Sequence, residues 1–255
     1  MKFRLFAVSF LFSFVSHAET TPMNELVPEE KETTIVCELT RAPKYTEIPV
    51  FNSPREAEAT KGTYHYKLWL PKGYRENEQK RWPCIFIMSP GGNASMGNMQ
   101  SYLKSHGFVV VMLVEAKNGP WEPIVGSFLA AHDDVLKRVR VQEGKKYATG
   151  MSGGARGSSV FVQSRPGFCG LILQGAGASF DEKNNYNVAG IKRSPGLYVA
   201  VTMGATDNNK TEVDRMKEAL DSTRFAAFDF SGGHIWAPAE VFEKAISWIG
   251  EKASR

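Results

Sequence analysis

The feature that most constrains this chain is a set of short, unbroken apolar runs with helix-period segments between them. Residues 84–88 read Cys-Ile-Phe-Ile-Met, 108–114 read Phe-Val-Val-Val-Met-Leu-Val, and 171–174 and 197–203 are similar. A strand with one wet face alternates; a run apolar at every position is covered on both faces. Helical spacing over 96–106, 128–139, 155–163, 211–222 and 238–251 fills the intervals. Further strands are expected at 64–70, 146–150 and 225–230. Strand and helix in alternation predict an α/β fold, a mostly parallel central sheet with helices on both faces. The polar stretch 178–195 is long for a connection and reads as a small insertion over the site.

The termini read differently. Lys2 and Arg4 precede an apolar run over 5–15 and then Ser16-His17-Ala18. That is the pattern of a secretory signal peptide over residues 1–18, cut after Ala18, and it predicts a secreted or periplasmic protein. The apolar run is about half the length a bilayer span needs. No later stretch is long enough to span, so no membrane span is expected after signal removal. Residues 19–60 are polar and rich in Glu, Thr and Pro. They read as an extended N-terminal arm with one short strand near 33–39, ahead of a catalytic domain at 61–255.

Charge and cysteine content exclude several classes. The formal charge is +4, and Lys2 and Arg4 supply two of those charges, leaving 29 basic residues against 27 acidic. Nothing clusters into the basic stripe that a nucleic-acid partner requires. Cys37, Cys84 and Cys169 are too few for a disulfide framework. One bridge is possible, but Cys84 and Cys169 lie in apolar runs and read as buried small hydrophobes. No pair of Cys or His has metal-ligand spacing, so no metal and no cofactor is expected.

The chemistry concentrates at Gly150-Met151-Ser152-Gly153-Gly154, a G-x-S-x-G motif. It follows a short strand and opens a helix, the setting in which a serine hydroxyl is lifted above a sheet edge. A phosphate-binding loop would want Lys after the last Gly; Ala155 and Arg156 stand there. A serine needs a base and a group to orient that base. Of the four histidines past residue 18, His65, His106 and His132 lie in predicted strands or helices. His234 instead follows the last strand, after Ser231-Gly232-Gly233. Asp207 follows the strand 197–203 and lies between Ser and His in the chain. Asp181, Asp214 and Asp229 are its competitors. Two backbone N–H donors are expected at the oxygen that gains charge. One is Gly153. The other comes from Ser89-Pro90-Gly91-Gly92-Asn93, with Gly92 first and Asn93 next. Trp121 and Trp236 are candidates for lining a substrate site, or else packing residues.

This order of strand, Gly-rich loop, G-x-S-x-G, Asp and His resembles the α/β-hydrolase superfamily. Within it, the chain resembles secreted esterases that include polyhydroxybutyrate depolymerases, feruloyl esterases and acetyl xylan esterases. Tyr66 to Tyr74, His132-Asp133-Asp134-Val135 and Tyr147 to Gly154 carry the likeness, which spans roughly 63–250. Pro90-Gly91 stands where that group has a His-Gly pair, the helix before the elbow (the strand-to-helix turn at Gly150–Gly154) is short, and 19–60 has no counterpart. The resemblance implies ester hydrolysis through an acyl-enzyme on Ser152, with His234 as base and Asp207 as its partner. It implies a small-molecule or polysaccharide ester as substrate and leaves the oligomeric state open. Polyester, lipase-like and peptidase-like activities, and a non-catalytic binding protein on the same fold, are the alternatives.

Overall fold

The computed structural model describes residues 21–254; the expected signal segment lies outside them. Among the described residues eight strands form one sheet: β1 (Thr33–Leu39), β2 (Gly62–Trp69), β3 (Trp82–Met88), β4 (Val109–Leu113), β5 (Val141–Met151), β6 (Phe168–Gln174), β7 (Tyr198–Gly204) and β8 (Phe225–Phe230). Their order is β1-β2-β4-β3-β5-β6-β7-β8. The β2 strand runs antiparallel to both of its neighbours, and every pairing from β4 to β8 is parallel. The helices are α1 (Met23–Leu26), α2 (Pro54–Glu58), α3 (Gln100–Ser105), α4 (Trp121–Arg138), α5 (Gly153–Ser164), α6 (Ala189–Arg193), α7 (Glu212–Ala219) and α8 (Ala239–Lys252).

Two apolar cores explain the unbroken runs. Side chains alternate along a strand, so Cys84, Phe86 and Met88 enter one core while Ile85 and Ile87 enter the other. Val109, Val111 and Leu113 divide from Val110 and Met112 in the same way. The first core is closed by α4 and α5 through Val125, Phe128, Leu129 and Phe161. The second is closed by α3 and α8 through Leu103, Phe242, Ala245 and Ile249. Phe86 meets Phe161 edge-on at 5.1 Å, and Phe128 stacks on Phe161 at 4.8 Å. Full burial of each such ring stabilises the fold by about 1.5–3 kcal/mol.

The segment 19–60, read from the sequence as an extended arm, is built into this domain as far as it is described. The β1 strand pairs with β2 along its whole length, Ile35 opposite Tyr66. Ile35, Cys37 and Leu39 point inward, and Met23, Val27, Ile48, Phe51 and Ala57 join the first core. Ile35, Cys37 and Leu39 alternate as a strand requires, but the other apolar residues are too scattered to show a period, and tertiary contact buries them. The helix before the elbow is also not short: α4 has 18 residues and begins at Trp121. All three cysteines are buried and unpaired. Burial pushes the Cys37 and Cys84 thiols up to about 12, which leaves them uncharged and inert.

Candidate active site

Parallel strands place all their carboxyl ends at one rim, and the loops leaving that rim carry the candidate residues. Ser152 sits between β5 and α5 with φ 56° and ψ −119°. A non-glycine residue at positive φ is strained and is held there by its surroundings. The Ser152 N–H donates to Gln174 O at 2.8 Å, and Ser152 O accepts from Ala155 and Arg156 as α5 begins. Glycines make the turn possible. A Cβ on Gly150 would lie 2.4 Å from backbone atoms of Gly154, and one on Gly154 would lie 2.5 Å from Met88 O.

Asp207 lies beyond β7 and His234 beyond β8. Their loops are tied together: Ala205 N–H donates to Phe230 O (2.8 Å) and Thr206 N–H to Gly232 O (2.9 Å). The structure brings the three side chains into one hydrogen-bonded series. Ser152 Oγ–H donates to His234 Nε2 at 2.9 Å. His234 Nδ1–H donates to Asp207 Oδ2 at 2.9 Å, with Oδ1 at 3.1 Å. The Asp207 carboxylate is fully shielded while the imidazole is 39% exposed. Asp207 Oδ1 also accepts the Asn209 N–H at 2.8 Å. A carboxylate so held fixes Nδ1 as the protonated nitrogen and leaves Nε2 free to accept. The competing carboxylates Asp181, Asp214 and Asp229 are exposed, and Asp181 caps its own turn through Lys183 and Asn185. His65 pairs with Glu115 at 2.7 Å, His106 stacks on Tyr102 at 3.9 Å, and His132 is a buried residue of α4.

At the carbonyl-oxygen site, the Gly153 N–H is at the first position of α5, where no intrahelical acceptor exists. The Gly92 N–H is placed elsewhere than expected. It donates to Ser89 O at 3.0 Å, closing a turn, so in this conformation it is not a donor to substrate. The Asn93 N–H is likewise taken, by Val114 O at 2.8 Å.

Trp236 lines a cavity of about 130 Å³ with Ser95, Gly97, Asn98 and Met99, two residues beyond His234. Trp121 packs partly buried against the first core at the start of α4. The stretch 178–195 carries α6 and a Phe180–Tyr186 stack at 4.8 Å. It is anchored by Arg156, which donates to Ala178 O (2.8 Å) and pairs with Glu212 (2.7 Å).

Two residues at the rim had no place in the sequence reading. Gln174 is buried at the end of β6, and its Oε1 accepts the Ala237 N–H at 3.2 Å. Its only signal was a polar residue closing an apolar run. Asn118 follows β4, and its carboxamide lies against Gly153. Its signal was a polar residue in a loop at the carboxyl edge of the sheet. Among the described residues no group of three or more His, Cys, Asp or Glu is placed to hold a metal ion. No helix among them is long and apolar enough to cross a membrane.

No protein-family model matches the chain, and no curated protein matches it in sequence. Solved structures do. One is an S-formylglutathione hydrolase from Staphylococcus aureus, at 14% identity and TM-score 0.58, covering 86% of this chain and 99% of that one. Another, also from Staphylococcus aureus, is a fluorophosphonate-binding serine hydrolase with substrate bound, at 14% identity and TM-score 0.55, covering 86% and 98%. A ferulic acid esterase from Anaeromyces mucronatus in complex with ferulic acid is similar at 14% identity and TM-score 0.55, covering 84% and 89%. At such identity the likeness is one of fold.

Proposed function

We propose that this chain, which has the α/β-hydrolase fold, is a serine hydrolase that cleaves carboxylic esters through an acyl-enzyme on Ser152. The observation that carries the reading is the continuous Ser152–His234–Asp207 series, with Ser152 held at positive φ. In this mechanism Ser152 Oγ attacks the ester carbonyl as His234 Nε2 takes its proton. Asp207 stabilises the imidazolium that results. His234 then returns the proton to the leaving alcohol, and water, activated by the same imidazole, releases the acid. The Gly153 N–H faces the developing oxyanion.

Acyl groups on polysaccharides or small esters met outside the cytoplasm are the substrates we propose. Two things support this: the ferulic acid bound by a structural neighbour, and the basic, then apolar, then small-residue pattern of 1–18. The polar character of 178–195 favours such esters over a lipid-like substrate that would want an apolar lid. Incubating the purified protein with a fluorophosphonate probe and with p-nitrophenyl acetate tests the reading. Wild type is expected to label and turn over, and Ser152→Ala to do neither. A wild type inert to both would leave a binding protein on the same fold as the better account.

A further inference from the structure

We propose that the Asn118 side chain is a catalytic group of this same site, donating from Nδ2 to the oxygen that gains charge when Ser152 attacks. The inference rests on the ester-hydrolase reading and names a residue that neither the motif nor the triad supplies.

Acyl transfer needs fixed donors around that oxygen, and one N–H from Gly153 is half of what such sites use. The loop after β3 contributes little. Pro90 has no N–H, and the N–H groups of Gly92, Asn93 and Ala94 donate to Ser89 O (3.0 Å), Val114 O (2.8 Å) and Leu113 O (2.9 Å). Ser89, directly at the end of β3, and Gly91 are the remaining residues of that loop with an N–H, and Gly91 is the one that bridges to the segment of Lys117. Beside it lies Asn118. A Cβ built on Gly153 would sit 1.7 Å from Asn118 Oδ1, 2.8 Å from Cγ and 3.4 Å from Nδ2. The carboxamide therefore occupies the space that a side chain one residue past the nucleophile would fill, and glycine at 153 is what admits it.

The residue is held there by backbone. Asn118 N–H donates to Pro90 O at 2.9 Å, and Lys117 bridges to Gly91. Asn118 thus lies between the elbow and the loop after β3, the two segments that frame the carbonyl site. Its exposed carboxamide makes no hydrogen bond to another protein group among the described residues. Rotation about Cβ–Cγ exchanges Oδ1 and Nδ2, so the donor can face a substrate oxygen without moving the chain.

The experiment compares wild type, Asn118→Ala and Asn118→Asp in steady-state hydrolysis of p-nitrophenyl acetate and in inhibition by phenylboronic acid, which forms a tetrahedral adduct on a reactive serine. Ala removes the donor without adding charge; Asp keeps the shape but puts a negative charge in place of the donor. Both variants are expected to lose about 100-fold in kcat, with KM changed less than about threefold and boronate affinity falling in parallel. If Asn118→Ala keeps kcat within about threefold of wild type, or if the loss lies in KM alone, the proposal is overturned and the Gly91 N–H becomes the second donor. A wild type that hydrolyses esters and labels with fluorophosphonate while both variants match it defeats this inference alone. A wild type without either activity defeats the ester-hydrolase reading beneath it.

Discussion

Replacing Gln174 with Leu tests whether the histidine loop is held by a buried side chain. Gln174 is 1% exposed and Ala237 is 1% exposed. The Ala237 peptide is gripped on both sides: its N–H donates to Gln174 Oε1 (3.2 Å) and its carbonyl accepts from Asn98 Nδ2 (3.1 Å). Gln174 Nε2 donates in turn to Thr149 Oγ1 at 3.0 Å. Leucine is close in volume, so little cavity forms, but the Ala237 N–H is left without an acceptor. An orphaned buried donor costs about 1–3 kcal/mol. Thr149 keeps its bond to Ile172 O at 2.9 Å and adds little. A loss of about 2 kcal/mol in a domain of this size lowers Tm by about 4–8 °C. Function should suffer separately, because His234 is three residues from the lost grip and its contact to Ser152 is 2.9 Å long. A displacement near 1 Å can cost about 100-fold, so a kcat loss between about tenfold and 100-fold is expected with KM nearly unchanged. Thermal melting by circular dichroism and ester hydrolysis read the two effects. A Tm within about 1 °C of wild type refutes the energetic argument; a lowered Tm with full kcat refutes the positioning role.

Two glycines should respond to alanine with opposite signs. At Gly150 the new Cβ would meet backbone atoms of Gly154 at 2.4 Å, so Gly150→Ala should abolish activity and lower Tm; Gly250, inside α8 with nothing within 4 Å, should gain about 0.5–1 kcal/mol and melt higher. Equal melting temperatures for the two variants would contradict this. Stability should also fall on mild acidification because of His132. Burial holds its imidazole below the ordinary 6.5; the Asp133 hydrogen bond opposes burial without overcoming it, and the Lys146 and Arg165 cations act with burial. The unfolded chain then binds the proton more readily, so this contribution is complete above about pH 6.5 and declines as pH falls below it. Tm measured from about pH 7.5 to 5.5 should drop more in wild type than in His132→Gln, and parallel curves would show that His132 is not the group responsible.

What the sequence made legible follows from sheet geometry. Because the strands from β4 to β8 are parallel, every residue just past one of their carboxyl ends arrives at the same rim. Chain order therefore maps onto space, and Ser152, Asp207 and His234 could be placed from strand ends alone. Doubly covered strands were readable for the same kind of reason, since both of their faces must be apolar. Features set by contacts distant in sequence were not. The N-terminal half of α4 was missed because Gly126 interrupts its pattern, and that glycine exists to admit Tyr64, whose Oη would lie 1.8 Å from a Cβ there. Near the start of β5, Gln142 to Lys145 face solvent because they bulge out between two paired positions, Val141 with Trp82 and Lys146 with Cys84.

Hydrogen-bond donors are harder still. The loop of Gly92 reaches the right place, yet location does not fix where an N–H points. The direction is set by φ and ψ, and at φ 71° Gly92 turns inward to Ser89 O. Gln174 and Asn118 owe their importance to partners 63 and 35 residues away, Ala237 and Gly153. The pattern of strands fixes where a nucleophile, base and acid can meet, whereas the donors that stabilise charge beside them depend on individual peptide orientations and side-chain contacts. Substitutions at Gln174 and Asn118 should therefore separate two parts of the site: one that holds His234 in place, and one that meets the substrate oxygen.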